Sequence, residues 1–152
     1  MGDLEGEDPQ LRTISKEAGV VIVSVEYRLA PAHPYPAPFE DCVSAYYWAL
    51  ENTAYLRTTP NEAFTFGTSA GGNLALSVAL KVIDDGNGNT LKGAVAVVPV
   101  TIDPEVVPEH LKSEYTSYVE HAEHTVNTAK AMKMFFSEYF DSKTKGIHID
   151  FS

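Results

Sequence analysis

Apolar residues fall in short unbroken runs separated by stretches of helical spacing, and that rhythm predicts most of the architecture. Val20-Val21-Ile22-Val23-Ser24-Val25-Glu26-Tyr27 is β-branched and almost wholly apolar, the pattern of a strand buried on both faces of a parallel sheet. Asn61 to Phe66 and Gly93 to Val100 read as two further buried strands. Around them the period becomes helical. Asp8 to Ala18 puts Leu11, Ile14 and Ser15 on one face and ends at Gly19. From Phe39 to Asn52 the apolar positions are Phe39, Val43, Tyr46, Tyr47 and Leu50, and Gly71 to Asp84 is rich in Leu, Ala and Val before Gly86 stops it. Ala30 to Pro38 holds four prolines and forms a loop, while Asp85 to Asn89 is a surface turn. Beyond Pro108 the spacing is helical and more polar, through Glu109 to Tyr118 and from Val126 to Phe140, and residues 143–152 carry no pattern. Strands alternating with helices predict an α/β fold with a parallel sheet of about three strands and flanking helices. All of it belongs to a single domain, 1–152.

Composition narrows the function. The 152 residues are 44% hydrophobic, ordinary for one globular domain and unlike a disordered chain. A formal net charge of −10 argues against nucleic acid or anionic lipid as a partner. Cys42 is the one cysteine. It excludes an internal disulfide and a cysteine-rich metal site, and its apolar helical surroundings suit a small core residue. No run approaches the ~20 apolar residues of a membrane span. An acidic N-terminus without a basic or apolar signal region favours a cytoplasmic protein.

The chemistry is concentrated in Phe64-Thr65-Phe66-Gly67-Thr68-Ser69-Ala70-Gly71-Gly72-Asn73, which reads as strand, sharp turn and helix. Gly67-x-Ser69-x-Gly71 is the spacing of a serine raised on a strained strand-to-helix turn. Side chains two residues either side would make strand and helix collide. Such a turn presents the hydroxyl beside a helix N-terminus, whose unpaired N–H groups favour developing negative charge. The bland alternative is a glycine-rich turn with an incidental serine; the strand before it and the helix after it tell against that.

Together with Tyr27-Arg28-Leu29-Ala30-Pro31-Ala32-His33-Pro34-Tyr35-Pro36-Ala37 upstream, the elbow segment Gly67 to Ala75 resembles the hormone-sensitive-lipase family of carboxylesterases. The likeness extends more weakly through Val98-Pro99-Val100 to Ser117-Tyr118, so that 101–152 resembles part of that family's helical substrate cap. Thr68 stands where the family usually has an acid, and Ala32 where it usually has Glu; neither position performs the chemistry. The resemblance implies a partial α/β-hydrolase fold and a serine carboxylesterase with no metal and no cofactor, acting on a small acyl ester. It assigns Ser69 as nucleophile, the N–H of Ala70 to the oxyanion hole, and Gly67, Gly71 and Gly72 to the elbow.

The same resemblance exposes what is missing. Ester hydrolysis by this machinery needs a base to take the serine proton and an acid to orient that base. In this fold they follow the serine in the order acid, then histidine, after two further strands. His33 precedes the serine and suits a loop histidine with a structural hydrogen bond. Among His110, His121, His124 and His148, none follows a strand end. Glu120, His121, Glu123 and His124 could suggest a metal cluster or a displaced base, but a solvated helix face accounts for them equally well. The family's HGGG loop, which supplies the other oxyanion donors, is absent, and Met1-Gly2-Asp3-Leu4-Glu5 resembles the sequence that normally follows it. In the resembling fold the strand bearing that loop lies between the strands at Val20 and Phe64. The expectation is therefore the truncated central portion of an esterase, inactive or incomplete alone, whose unpaired strand edges would favour self-association. Two alternatives are a non-catalytic binding or assembly subunit and one part of a split esterase.

Overall fold

The computed structural model describes residues 4–123 and 127–140. In chain order these form helices α1 (Leu4–Ala18) and α2 (Ala37–Glu51), the single turn α3 (Thr53–Leu56), strand β1 (Ala63–Thr68), helix α4 (Ala70–Asp84), strand β2 (Leu91–Val97), the short helix α5 (Ser117–Glu120) and helix α6 (Ala129–Tyr139). The sequence pattern anticipates each of the longer helices within a few residues. Helix α2 begins at Ala37, earlier than the periodicity suggests, because Pro38 falls in its first turn, where a missing N–H costs nothing. Helix α1 also begins early and runs through Pro9.

Helix α4 organises the fold. Its apolar face buries Leu74, Ala75, Val78, Ala79 and Val82, the last at 0% exposure. It lies across β1 and β2 and also packs against α2. Tyr46 from α2 meets Val78 and Val82, with Phe39, Val43, Leu50, Ala63 and Leu91 around them. The Tyr46 hydroxyl reaches Thr90 Oγ1 at 2.9 Å, so this large buried ring leaves its polar end satisfied. Cys42 is half-buried beside this core, and burial pushes its thiol up to about 11. The helix ends as its sequence suggests. Gly86 takes a φ of 77°, its N–H bonds the Ile83 carbonyl and that of Asn87 bonds the Val82 carbonyl, both at 2.9 Å, which closes the last turn in a Schellman arrangement.

Strands β1 and β2 pair in parallel, with Phe64 opposite Gly93, Phe66 opposite Val95 and Thr68 opposite Val97. Thr65 is buried under α4, whereas Phe64, Phe66, Val95 and Val97 are exposed on the opposite face. Both strands lie offset from the sequence expectation. β1 starts at Ala63 after a left-handed Asn61, and β2 stops at Val97 because Val98 turns to φ 43°.

The third expected strand is corrected. Residues 20–29 have no ladder partner among the described residues, and the sheet there is two-stranded. Val20, Val21 and Val23 are exposed, Val21 at 51%, rather than buried on two faces. A strand exists only by pairing, and neither β1 nor β2 lies alongside this run. It is tethered at its ends. Val20 exchanges hydrogen bonds with Ser15, and Arg28 grips Asp41 of α2 through its backbone N–H and its guanidinium.

The polar helical stretch after Pro108 also differs. Glu109–Leu111 is a 3₁₀ turn and α5 spans one turn only, so Glu109 to Tyr118 is not one helix. His121 is the residue that closes α5 and not part of a continuing helix face. His124 and His148 lie outside the described residues.

Candidate active site

Ser69 stands between the last residue of β1 and the first of α4, with φ 57° and ψ −116°. A non-glycine residue there is strained by about 1–3 kcal/mol, and it persists because both sides of the turn are fixed. The Ser69 N–H donates to the Val97 carbonyl at 2.9 Å, and the Ser69 carbonyl accepts from Asn73 at 3.1 Å and Val100 at 3.3 Å. The turn is thus bonded to the end of β2 as well as to its own helix.

The glycines explain how strand and helix come so close, and they divide the task unequally. A Cβ on Gly67 would overlap the carbonyl of Gly71 and lie 2.9 Å from the Gly72 nitrogen. On Gly72 it would sit 3.2 Å from the Gly67 carbonyl oxygen and from Pro99. On Gly71 it would meet nothing within 4 Å. The expectation that both residues flanking the serine must lack a side chain therefore holds for Gly67 and is corrected for Gly71. Gly71 contributes its backbone to the crowding, and Gly72 is the second position where space is short.

Ala70 is the first residue of α4. Its N–H belongs to the opening turn, which has no intrahelical acceptors, and it lies next to the serine where the helix dipole is positive. Gly67, Ser69, Ala70, Gly71 and Gly72 are thus brought together in one turn at the carboxyl ends of both strands. In open parallel α/β sheets that edge is where ligands bind.

Among the described residues no imidazole or carboxylate hydrogen-bonds the Ser69 hydroxyl. His33 is exposed in the proline loop, its N–H bonded to the Leu29 carbonyl at 2.9 Å. His110 is exposed in the 3₁₀ turn. Also exposed, His121 lines a cavity near the elbow. Glu120 and Glu123 are exposed too, and no group of three His, Cys, Asp or Glu among the described residues could hold a metal ion.

That cavity, about 330 Å³, begins at Pro99 and Val100 and is walled by Tyr115, Tyr118, Met132 and Phe136. Sequence reasoning missed it. Its walls come from three separate segments, and the apolar spacing of α6 alone says only that the helix has an apolar face. Helix α6 is anchored across the proline loop, where the Tyr35 N–H donates to the Tyr139 carbonyl at 2.8 Å. The Tyr35 ring there lies 5.9 Å from Tyr139 and 5.6 Å from Phe140, and burial pushes the Tyr139 phenol well up.

A family model described as the alpha/beta hydrolase fold matches residues 1–151. Versiconal hemiacetal acetate esterase of Aspergillus parasiticus is 45% identical over 139 residues, covering 91% of this chain and 43% of that esterase. Human hormone-sensitive lipase is 37% identical over 107 residues, 70% of this chain and 10% of the lipase. Among solved structures, the hyperthermophilic esterase from Pyrobaculum calidifontis superposes with a TM-score of 0.84 at 34% identity, covering 95% of this chain and 45% of that one. The chain thus spans less than half the length of these esterases.

Proposed function

The chain belongs to the hormone-sensitive-lipase branch of the α/β-hydrolase fold family, and from that descent we propose a carboxylic-ester hydrolase whose nucleophile is Ser69. The observation that carries the reading is the strained turn of Ser69 between β1 and α4, with Gly67 packed on the backbone of Gly71. In this reading Ser69 Oγ attacks the carbonyl carbon of a small acyl ester. The N–H of Ala70 meets the oxyanion that forms, and one such donor is worth about 10²–10³ in rate. The serine proton requires a base, and the described residues offer the hydroxyl none. Removing the histidine from a serine triad costs about 10⁶, so the chain alone is inactive or nearly so. Residues 101–152 act as part of the substrate cap of the single domain 1–152, and no metal or organic cofactor takes part.

A second reading is favoured by the run 20–29, which has no ladder partner among the described residues. The chain is then one part of a split esterase, or a non-catalytic subunit, whose sheet is completed by another polypeptide. The test compares p-nitrophenyl butyrate hydrolysis by the chain and its Ser69→Ala variant at matched concentration. Equal rates are expected. A Ser69-dependent turnover near ~1 s⁻¹, ordinary for enzymes, would show that a base is present after all.

A further inference from the structure

We propose that the cavity beside the elbow is a slot for a planar aromatic ring bearing a hydroxyl or carbonyl substituent, and that this ring is one end of the ester presented to Ser69. The second half of that statement rests on the serine-esterase reading; the first half does not.

Position is the first support. The Val100 N–H bonds the Ser69 carbonyl at 3.3 Å, and Pro99 packs over Gly72. Both residues line the cavity, so it adjoins the segment that is bonded to the elbow. Size is the second. About 330 Å³ is at the lower end of the ~300–1,000 Å³ usual for ligand pockets, and it has room for a group the size of one or two fused rings.

Shape and rigidity are the third. Tyr115 and Tyr118, which both line the cavity, stack on one another at 6.4 Å with 25° between their rings. The Tyr118 hydroxyl donates to the Ala129 carbonyl at 2.8 Å, which fixes its ring against the start of α6. Thr128 caps that helix by accepting from the Ala131 N–H at 3.2 Å, and Lys133 pairs with Glu105 at 2.6 Å across the neighbouring turn. Met132 and Phe136, four residues apart, share the face of α6 that closes the other side. Aromatic rings attract other rings beyond simple area burial, and a thioether adapts to ring edges. Thr101, Ser117 and His121 also line the cavity and supply hydrogen-bonding groups for the substituent.

The chain of residues 1–152 carrying Ser69→Ala is titrated with 2-naphthyl acetate, 2-naphthol and hexyl acetate, with binding followed by ligand-observed NMR. The naphthyl compounds are expected to bind saturably and about tenfold more tightly than hexyl acetate. Met132→Trp fills the slot and should remove the preference. Thr101→Phe, at an exposed lining position that the core does not depend on, should weaken naphthol binding at least as much. In parallel the chain carrying Ser69→Cys, whose thiol ionises without a histidine, is incubated with N-(2-naphthyl)iodoacetamide, and the alkylated position is found by mass spectrometry. Naphthol binding that both variants weaken, with alkylation at position 69 that 2-naphthol suppresses, supports the whole proposal. The same binding with position 69 untouched supports the ring slot and removes its second half, the presentation of the ring to Ser69. Binding that prefers hexyl acetate, or that neither variant changes, overturns the ring slot whatever happens at Ser69.

Discussion

Gly67 faces the carbonyl of Gly71 so closely that a single methyl group on the former would lie 2.1 Å from the latter's oxygen, well inside contact distance. This contact lets β1 turn into α4 within one residue, and it separates two glycines that the motif treats alike. Overpacking a core typically costs 1–3 kcal/mol, and here the obstacle is backbone held at both ends. Gly67→Ala should destabilise the chain by about 3 kcal/mol or more. Gly71→Ala has open space and a helical backbone. It should be neutral or stabilising by up to about 1 kcal/mol. Guanidinium unfolding followed by circular dichroism checks both; equal losses for the two variants would contradict the crowding described.

Strain at Ser69 gives a prediction that does not depend on activity. With φ 57° and ψ −116°, the residue occupies a region that glycine enters without penalty. Ser69→Gly should therefore raise stability by about 1 kcal/mol, whereas Ser69→Ala, which keeps its Cβ, should leave it nearly unchanged. A Ser69→Gly variant less stable than Ser69→Ala under the same denaturant would mean that the turn is relaxed.

The elbow was legible because its cause is local. Strand, glycine, serine and helix follow one another within ten residues, and the steric reason for Gly67 can be stated without knowing any partner. The run Val20 to Tyr27 failed for the opposite reason. Its apolar β-branched pattern is that of a buried strand, but a strand needs a neighbour, and pairing is not written in the run itself. The end of β2 was misplaced because nothing in a valine warns that Val98 will take φ 43°. The cavity was invisible because Pro99, Tyr118 and Met132 come from three separate segments.

Arg28 and Asp41 make a pH prediction. The guanidinium hydrogen bonds, and then the Arg28 backbone N–H, hold the Asp41 carboxyl below its ordinary range. A carboxylate depressed in the folded state adds stability that is present above the unfolded value of about 3.9 and fades as pH falls through the lower folded value. Asp41→Asn should therefore lower the thermal midpoint at pH 7 and make progressively less difference below about pH 3.9. An Asp41→Asn penalty that stays constant from pH 7 to pH 2.5 would place the effect in packing and not in the charge.

The face of the sheet turned away from α4 carries the last prediction. Phe64 is 61% exposed, and Phe66, Val95 and Val97 stand beside it at between 43% and 48%. Their register, with Phe66 opposite Val95 and Thr68 opposite Val97, makes one contiguous apolar surface rather than scattered residues. Both strands also have an outer edge without a ladder partner among the described residues. Apolar patches of this kind and open edges promote association with other copies of the same chain. The net charge of −10 opposes it, but charge acts at range and is screened within about 8 Å at physiological salt, whereas edge pairing and ring burial act at contact. Light scattering after size exclusion should accordingly report a mass above the 16.6 kDa of one chain, and rising salt should increase it. Replacing Phe64 and Phe66 by Lys puts charge at the centre of the patch without touching the α4 side, and should shift the distribution toward monomer. A sharp cooperative melt from a clean monomer of the unmutated chain would mean that the face is covered within the chain itself.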